Sequence, residues 1–167
     1  MLFRSDGNVI ESVLMGRVNK KEKRDLEARY TICISTQVGC AMGCVFCATG
    51  KMGFKRNLTY QEIIDQYRFW QNYLREKKLG KVNNIVLMGQ GEPLLNYDNV
   101  KQALNIILDH TDIGPRQITI STVGIKTGME KMLTDADFPS VRFALSLHSA
   151  ISEIRKKIIP SHPPDFL

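Results

Sequence analysis

The stretch Thr31-Ile-Cys33-Ile-Ser-Thr36-Gln-Val-Gly-Cys40-Ala-Met-Gly-Cys44-Val-Phe-Cys47 decides how the chain is read. Its opening, TICIST, is rich in β-branched residues and predicts a strand over 31–36. Directly after it come three cysteines at C-x3-C-x2-C spacing, and Cys33 is the only other cysteine among the 167 residues. A disulfide framework spreads its bridges along a chain, whereas tight clustering in a reducing compartment points to metal binding or thiol chemistry. Each residue spans at most about 3.3–3.6 Å, so this short loop can wrap three corners of a small cubic iron–sulfur cluster. Three ligands for four irons leave one iron open, as a catalytic metal site requires. Gly39 and Gly43 permit the tight turns, and Gly50 and Gly53 loosen the loop's exit. Two other readings stand beside this one: a zinc site completed by Cys33, although zinc sites usually use two separate C-x2-C pairs, and plain core cysteines.

Outward from the loop, residues 8–15 (NVIESVLM) are β-like, and Arg17 to Arg29 is a charged stretch suited to an exposed hairpin loop or linker. Thr59 and Glu62 form a capping box that starts a helix. Ile63, Ile64, Tyr67, Trp70 (or Gln71) and Leu74 give it an apolar face, and Gly80 is its expected stop. The apolar run 84–88 (NIVLM) predicts a strand buried on both faces. Asp98 is expected to cap a helix through Asp109. Strands over 117–122 and 141–147 and helices over 126–133 and 152–158 follow, the last ended by Pro160, Pro163 and Pro164. Alternating strands and helices predict right-handed βαβ units on a parallel sheet, an α/β fold. Functional groups then belong at the C-terminal strand ends. The cysteines, Gly91-Glu92-Pro93, Ser121 and His148 all fall there.

Lys and Arg number 23 against 17 Asp and Glu, a net charge of +6 that permits an anionic partner such as nucleic acid without demanding one. With 43% hydrophobic and 24% charged residues the chain is too apolar for a disordered one. No apolar run approaches the roughly 20 residues of a membrane helix, and Met1 to Ile10 has no signal-like apolar region, so the chain reads as cytoplasmic with no membrane partner.

The segments TICISTQVGCAMGCVFCATGKMGFKRNLTYQEII, VLMGQGEPLLNYDNV, ITISTVGI and ALSLHSA resemble, in order, the RlmN/Cfr family of radical S-adenosylmethionine (SAM) RNA adenine methyltransferases. The resemblance runs from about Asn8 to Pro160. It implies a partial (β/α) barrel of the radical SAM type, with about four parallel βα units plus an N-terminal β-hairpin. Residues 1–30 would be the N-terminal strand and basic connecting segment, and 31–167 the first portion of the barrel. It further implies a [4Fe-4S] cluster held by Cys40, Cys44 and Cys47, whose open iron chelates SAM. Phe46 would lie near the cofactor's adenine, Gly91 and Glu92 would meet its ammonium, and Ser121, Ser146, Leu147 and His148 its ribose and carboxylate. In this family a cysteine near the C-terminus carries the methyl group; by position Cys33 is the resolving cysteine, which forms a disulfide with it, and Glu11 the proton acceptor. The implied product is adenine methylated at C2, favoured over C8, in 23S ribosomal RNA, with transfer RNA as a second substrate. The implied partners include an electron donor such as a flavodoxin, and the complete protein is expected to be a monomer.

The chain departs from the family in having no cysteine after Cys47 and no counterpart of a later cofactor-binding Asn. It is therefore expected to be a fragment, truncated before two further βα units and without the family's small N-terminal RNA-binding domain. Two alternatives are a different radical SAM enzyme and a zinc-bound, non-enzymatic RNA-binding module. The second draws on the basic clusters Arg17 to Arg29 and Arg155 to Lys157. His110 and His162 match nothing and are expected at the surface. Incubated with SAM, reductant and ribosomal RNA, these 167 residues alone are expected to form no methyladenosine through the relay. Methyladenosine from the chain alone, read by mass spectrometry of digested RNA, refutes that expectation.

Overall fold

The computed structural model describes residues 2–17 and 28–161; most of the charged stretch before Arg29, His162 and Pro163–Pro164 lie outside the described residues. In chain order the strands are β1 (Leu2–Ser5), β2 (Asn8–Glu11), β3 (Val13–Arg17), β4 (Arg29–Cys33), β5 (Gln37–Gly39), β6 (Phe54–Asn57), β7 (Val82–Leu87), β8 (Ile118–Thr122) and β9 (Arg142–Leu145). The helices are α1 (Ala48–Lys51), α2 (Tyr60–Glu76), α3 (Tyr97–His110), α4 (Lys126–Thr134) and α5 (Ser152–Ile158). The main sheet has the order β3-β4-β7-β8-β9, in which β4, β7, β8 and β9 run parallel and β3 is antiparallel to β4. The expected four parallel strands and N-terminal hairpin are both present. That hairpin, β1–β2, turns through Asp6 and Gly7. Arg56 holds it against the start of α2 by bonding Asp6 and both carboxylate oxygens of Glu62.

Alternation along the strands decides where the core lies. Ile32, Ile85, Leu87, Ile118 and Ile120 point to one face and are almost completely buried beneath α2 and α3, against Ile63, Leu74, Val100, Leu104 and Ile107. The alternate residues Thr31, Cys33, Asn84, Val86, Thr119 and Ser121 form a second, half-buried face. The expectation that residues 84–88 are buried on both faces is thus corrected: helices cover one face of β7, while Asn84 and Val86 on the other are only half-buried and Met88 is exposed. β9 is the outer strand of the sheet, with Phe143 and Leu145 exposed.

The capping box is formed as expected, with Thr59 Oγ1 accepting from Glu62 N–H and the Glu62 carboxylate accepting from Thr59 N–H. Strands β7, β8 and β9 shift by one or two residues at their ends from the sequence reading, and three other boundaries differ for visible reasons. β4 stops at Cys33, because Ile34 to Thr36 leave the strand to bond the loop after β7. α2 ends before Gly80, with Lys78 in the left-handed conformation and Leu79 N–H bonding the Leu74 carbonyl. α3 begins from Asn96 rather than Asp98, since a 3₁₀ turn over Pro93–Asn96 leads straight into it. Thr59→Ala removes one half of the capping box and is expected to cost about 1 kcal/mol, measured by urea unfolding.

Candidate functional site

The parallel strands β4, β7, β8 and β9 end on one rim, and their connections enclose a cleft of about 280 Å³. Cys40, Cys44, Cys47, Phe46, Gly91, Glu92, Ser121, Ser146 and His148 all line it. Those residues span more than 100 positions of the chain, and the connections between the parallel strands bring them together.

The cysteine loop is the connection of a small ribbon, β5–β6, closed at its base by Cys40 N–H bonding the Gly53 carbonyl at 3.0 Å. Gly39 takes φ +74, and a Cβ there would stand 1.8 Å from the Gly53 oxygen, so only glycine fits this closure. Cys47 N–H bonds the Cys44 carbonyl, and Val45 N–H bonds the Ile158 carbonyl, which ties the loop to α5. Met42 and Cys44 are buried against Leu94, Val123, Ile125 and Ile159, while Cys40 and Cys47 are half-buried. Burial pushes the Cys40 and Cys44 thiols up from their ordinary value, so occupation by a metal would release protons.

Among the described residues no three His, Cys, Asp or Glu side chains converge on a single metal ion. A zinc completed by Cys33 is therefore not the arrangement found. A cubic cluster has the opposite requirement, since each thiolate binds a different iron, and the donor set fits it: three free thiols on one short loop. The disulfide implied by the family resemblance is not formed, since these 167 residues hold no counterpart of the cysteine that would pair with Cys33. All four cysteines are free, and Cys33 instead faces the Met88 backbone N–H.

The loop after β7 packs backbone to backbone against residues 34–37. Gly89 N–H bonds the Ile34 carbonyl, and Thr36 and Gln37 N–H both bond the Gln90 carbonyl. Gly91, at φ +100, has room for no side chain; a Cβ would lie 2.5 Å from that of Gln37. The Glu92 carboxylate is buried and accepts three hydrogen bonds, from Thr122 Oγ1 at 2.5 Å, Val123 N–H at 3.0 Å and Leu94 N–H at 3.2 Å. A carboxylate has about four acceptor positions, so one remains for a cation in the cleft. Burial lifts its pKa above the ordinary value, and the three hydrogen bonds oppose that rise.

At the ends of β8 and β9 the Ser121 and Ser146 hydroxyls bond each other at 3.0 Å. His148 has φ +58, an unfavourable conformation outside glycine, and its ring lies 4.4 Å from that of Phe46. Leu147 does not line the cleft, and its carbonyl accepts from Arg155 Nε. Arg155 is itself fully buried and bonds the Val123 carbonyl at 2.7 Å, so it is no part of a surface basic cluster. Glu11 and Cys33 do not line the cleft, although Cys33 bonds the backbone of Met88, which does. The Cys33 thiol is pushed up chiefly by burial, with the Glu11 charge adding to the rise.

Thr122, Gln37 and Arg155 organise this rim, and the sequence reading missed their roles. Thr122 was legible only as a strand residue, and Arg155 lay inside an apparent surface run of basic residues. No helix among the described residues is long and apolar enough to cross a membrane.

Residues 34–167 match the Radical SAM superfamily. The chain is similar to the ribosomal RNA large subunit methyltransferase N of Nitrosopumilus maritimus, with 43% identity over 99% of this chain and 46% of that protein. It is also similar to the dual-specificity RNA methyltransferase RlmN 1 of Myxococcus xanthus, with 43% identity over 96% of this chain and 42% of that protein. A crystal structure of a radical SAM methyltransferase from Sphaerobacter thermophilus superposes with a TM-score of 0.81 at 38% identity, covering 95% of this chain and 44% of the other. The chain thus spans about half the length of the curated relatives it matches.

Because the folded-state pKa of Glu92 is raised, its contribution to stability is fully present below the unfolded value near 4.5 and is lost as pH rises through the folded one. Compared with Glu92→Gln, the wild type is therefore expected to lose relative stability in urea unfolding as pH climbs from about 4 to about 7.

Proposed function

The chain belongs to the Radical SAM superfamily, and from that premise we propose that it provides the cluster- and cofactor-binding part of an RNA adenine methyltransferase. The superfamily implies a [4Fe-4S] cluster and SAM, which when bound supply radical hydrogen abstraction. The observation that carries the proposal is the convergence of Cys40, Cys44 and Cys47 with the strand-end groups in one cleft.

Each side chain has a proposed task. Cys40, Cys44 and Cys47 hold the cluster. Gly91 lets its backbone approach Gln37 closely, and the remaining acceptor position of Glu92 receives the SAM ammonium. Ser121 and Ser146, bonded to each other, offer hydroxyls to ribose or carboxylate oxygens. The paired rings of Phe46 and His148 shelter the adenine from water. Cys33 resolves the methylated cysteine of the family's relay, and Glu11 accepts the proton. Burial keeps the Cys33 thiol protonated, so it must lose a proton before it attacks a sulfur.

The substrate is ribosomal RNA, with C2 of adenine as the methylated carbon. The name of the Myxococcus xanthus relative speaks of dual specificity, which supports a second RNA, here transfer RNA. An electron donor such as a flavodoxin, action in the cytoplasm and a monomeric state complete the proposal.

Anaerobic reconstitution with iron and sulfide is expected to load about four irons per chain, giving a brown protein whose reduced EPR signal changes on adding SAM. Cys44→Ala is expected to lose that signal. A single tightly held zinc, or iron uptake indifferent to Cys40, Cys44 and Cys47, overturns the proposal.

A further inference from the structure

We propose that Ser12 and Ser35 are positioning residues that hold Cys33 and Glu11 in mutual register and connect them to the cofactor loop; the inference rests on the relay roles proposed above for that pair. Both serines are fully buried. Ser12 Oγ donates to the Cys33 carbonyl at 2.9 Å and accepts from Trp70 Nε1 at 2.9 Å. Ser35 Oγ donates to the Glu11 carbonyl at 2.6 Å and accepts from Gln90 N–H at 2.9 Å.

The pattern is reciprocal. The hydroxyl adjoining Glu11 in the chain grips Cys33, and the hydroxyl two residues beyond Cys33 grips Glu11. Ser12 stands at the break between β2 and β3, where the strand ladder provides no continuous restraint, and Val13 next to it pairs with Cys33. Ser35 stands just past β4, where the Gln66 side chain of α2 bonds its N–H at 2.8 Å and its carbonyl at 2.9 Å. Through Gln90 N–H the brace reaches the loop that carries Gly91 and Glu92. Neither serine lines the cleft, so both act through the residues they hold. Strand pairing alone would be served by any residue at these two positions; two buried hydroxyls directed at the carbonyls of Glu11 and Cys33 serve placement.

The test is site-resolved alkylation of the full chain by iodoacetamide, read by mass spectrometry, together with amide exchange at Gln90. In Ser35→Ala the Cys33 rate is expected to rise about threefold or more, with Cys40, Cys44 and Cys47 staying within about twofold. Exchange at Gln90 is expected to quicken about tenfold in the same variant. Ser35→Thr, which keeps the hydroxyl, should retain wild-type values. Should Ser35→Ala not fold, Ser12→Ala against Ser12→Thr makes the same comparison at Cys33. An unchanged Cys33 rate in the alanine variants, or all four cysteines quickening together, overturns the brace. Failure of the relay roles is seen separately, as methyl transfer that survives Cys33→Ala when the substitution is made in a protein that also carries the family's methyl-bearing cysteine, a result to which the alkylation rates are blind.

Discussion

The site depends on one close approach of two backbone segments. Residues 34–37 and 89–92 meet with no side chain between them at Gly89 and Gly91, and bonds from Gly89, Thr36, Gln37 and Glu92 N–H groups close the contact. One segment leads into the cysteine loop, and the other carries the buried carboxylate. A larger residue at either glycine would push the cluster-binding loop away from the groups proposed to bind the cofactor.

Around that seam the buried polar groups are arranged as a connected set. Glu92 draws the end of β8 inward through Thr122 and Val123. Arg155 takes the carbonyls of Val123 and Leu147, which joins α5 to the ends of β8 and β9. A buried charge is tolerable only when hydrogen bonds replace its water, and both groups receive theirs largely from backbone, whose position the sheet fixes. The cleft therefore has rigid walls without depending on long surface side chains.

Much of this was legible in the sequence. The C-x3-C-x2-C spacing, the capping box at Thr59 and Glu62, and the placement of GEP, Ser121 and His148 after successive strands all express local chemistry or simple periodicity. The exceptions share a cause, because they depend on partners distant in the chain. Gln66 looked like one polar residue on an amphipathic helix, yet it completes the hydrogen bonds of Ser35, 31 positions away. Arg155 looked solvated because Lys156 and Lys157 follow it. The half-open face of β7 was hidden because an apolar run looks the same whether one face is covered or both. The pairing of Phe46 with His148 had no signal at all, since a left-handed histidine is a product of the assembled rim.

The outer strand β9 has a consequence for the behaviour of the polypeptide in solution. Among the described residues no strand pairs with its outer side, which offers a row of peptide groups beside exposed Phe143 and Leu145, a template onto which another extended segment can be zipped. Whatever occupies that flank extends the sheet and shields its aromatic and aliphatic side chains. A bare flank makes self-association at high concentration the main hazard in handling the chain.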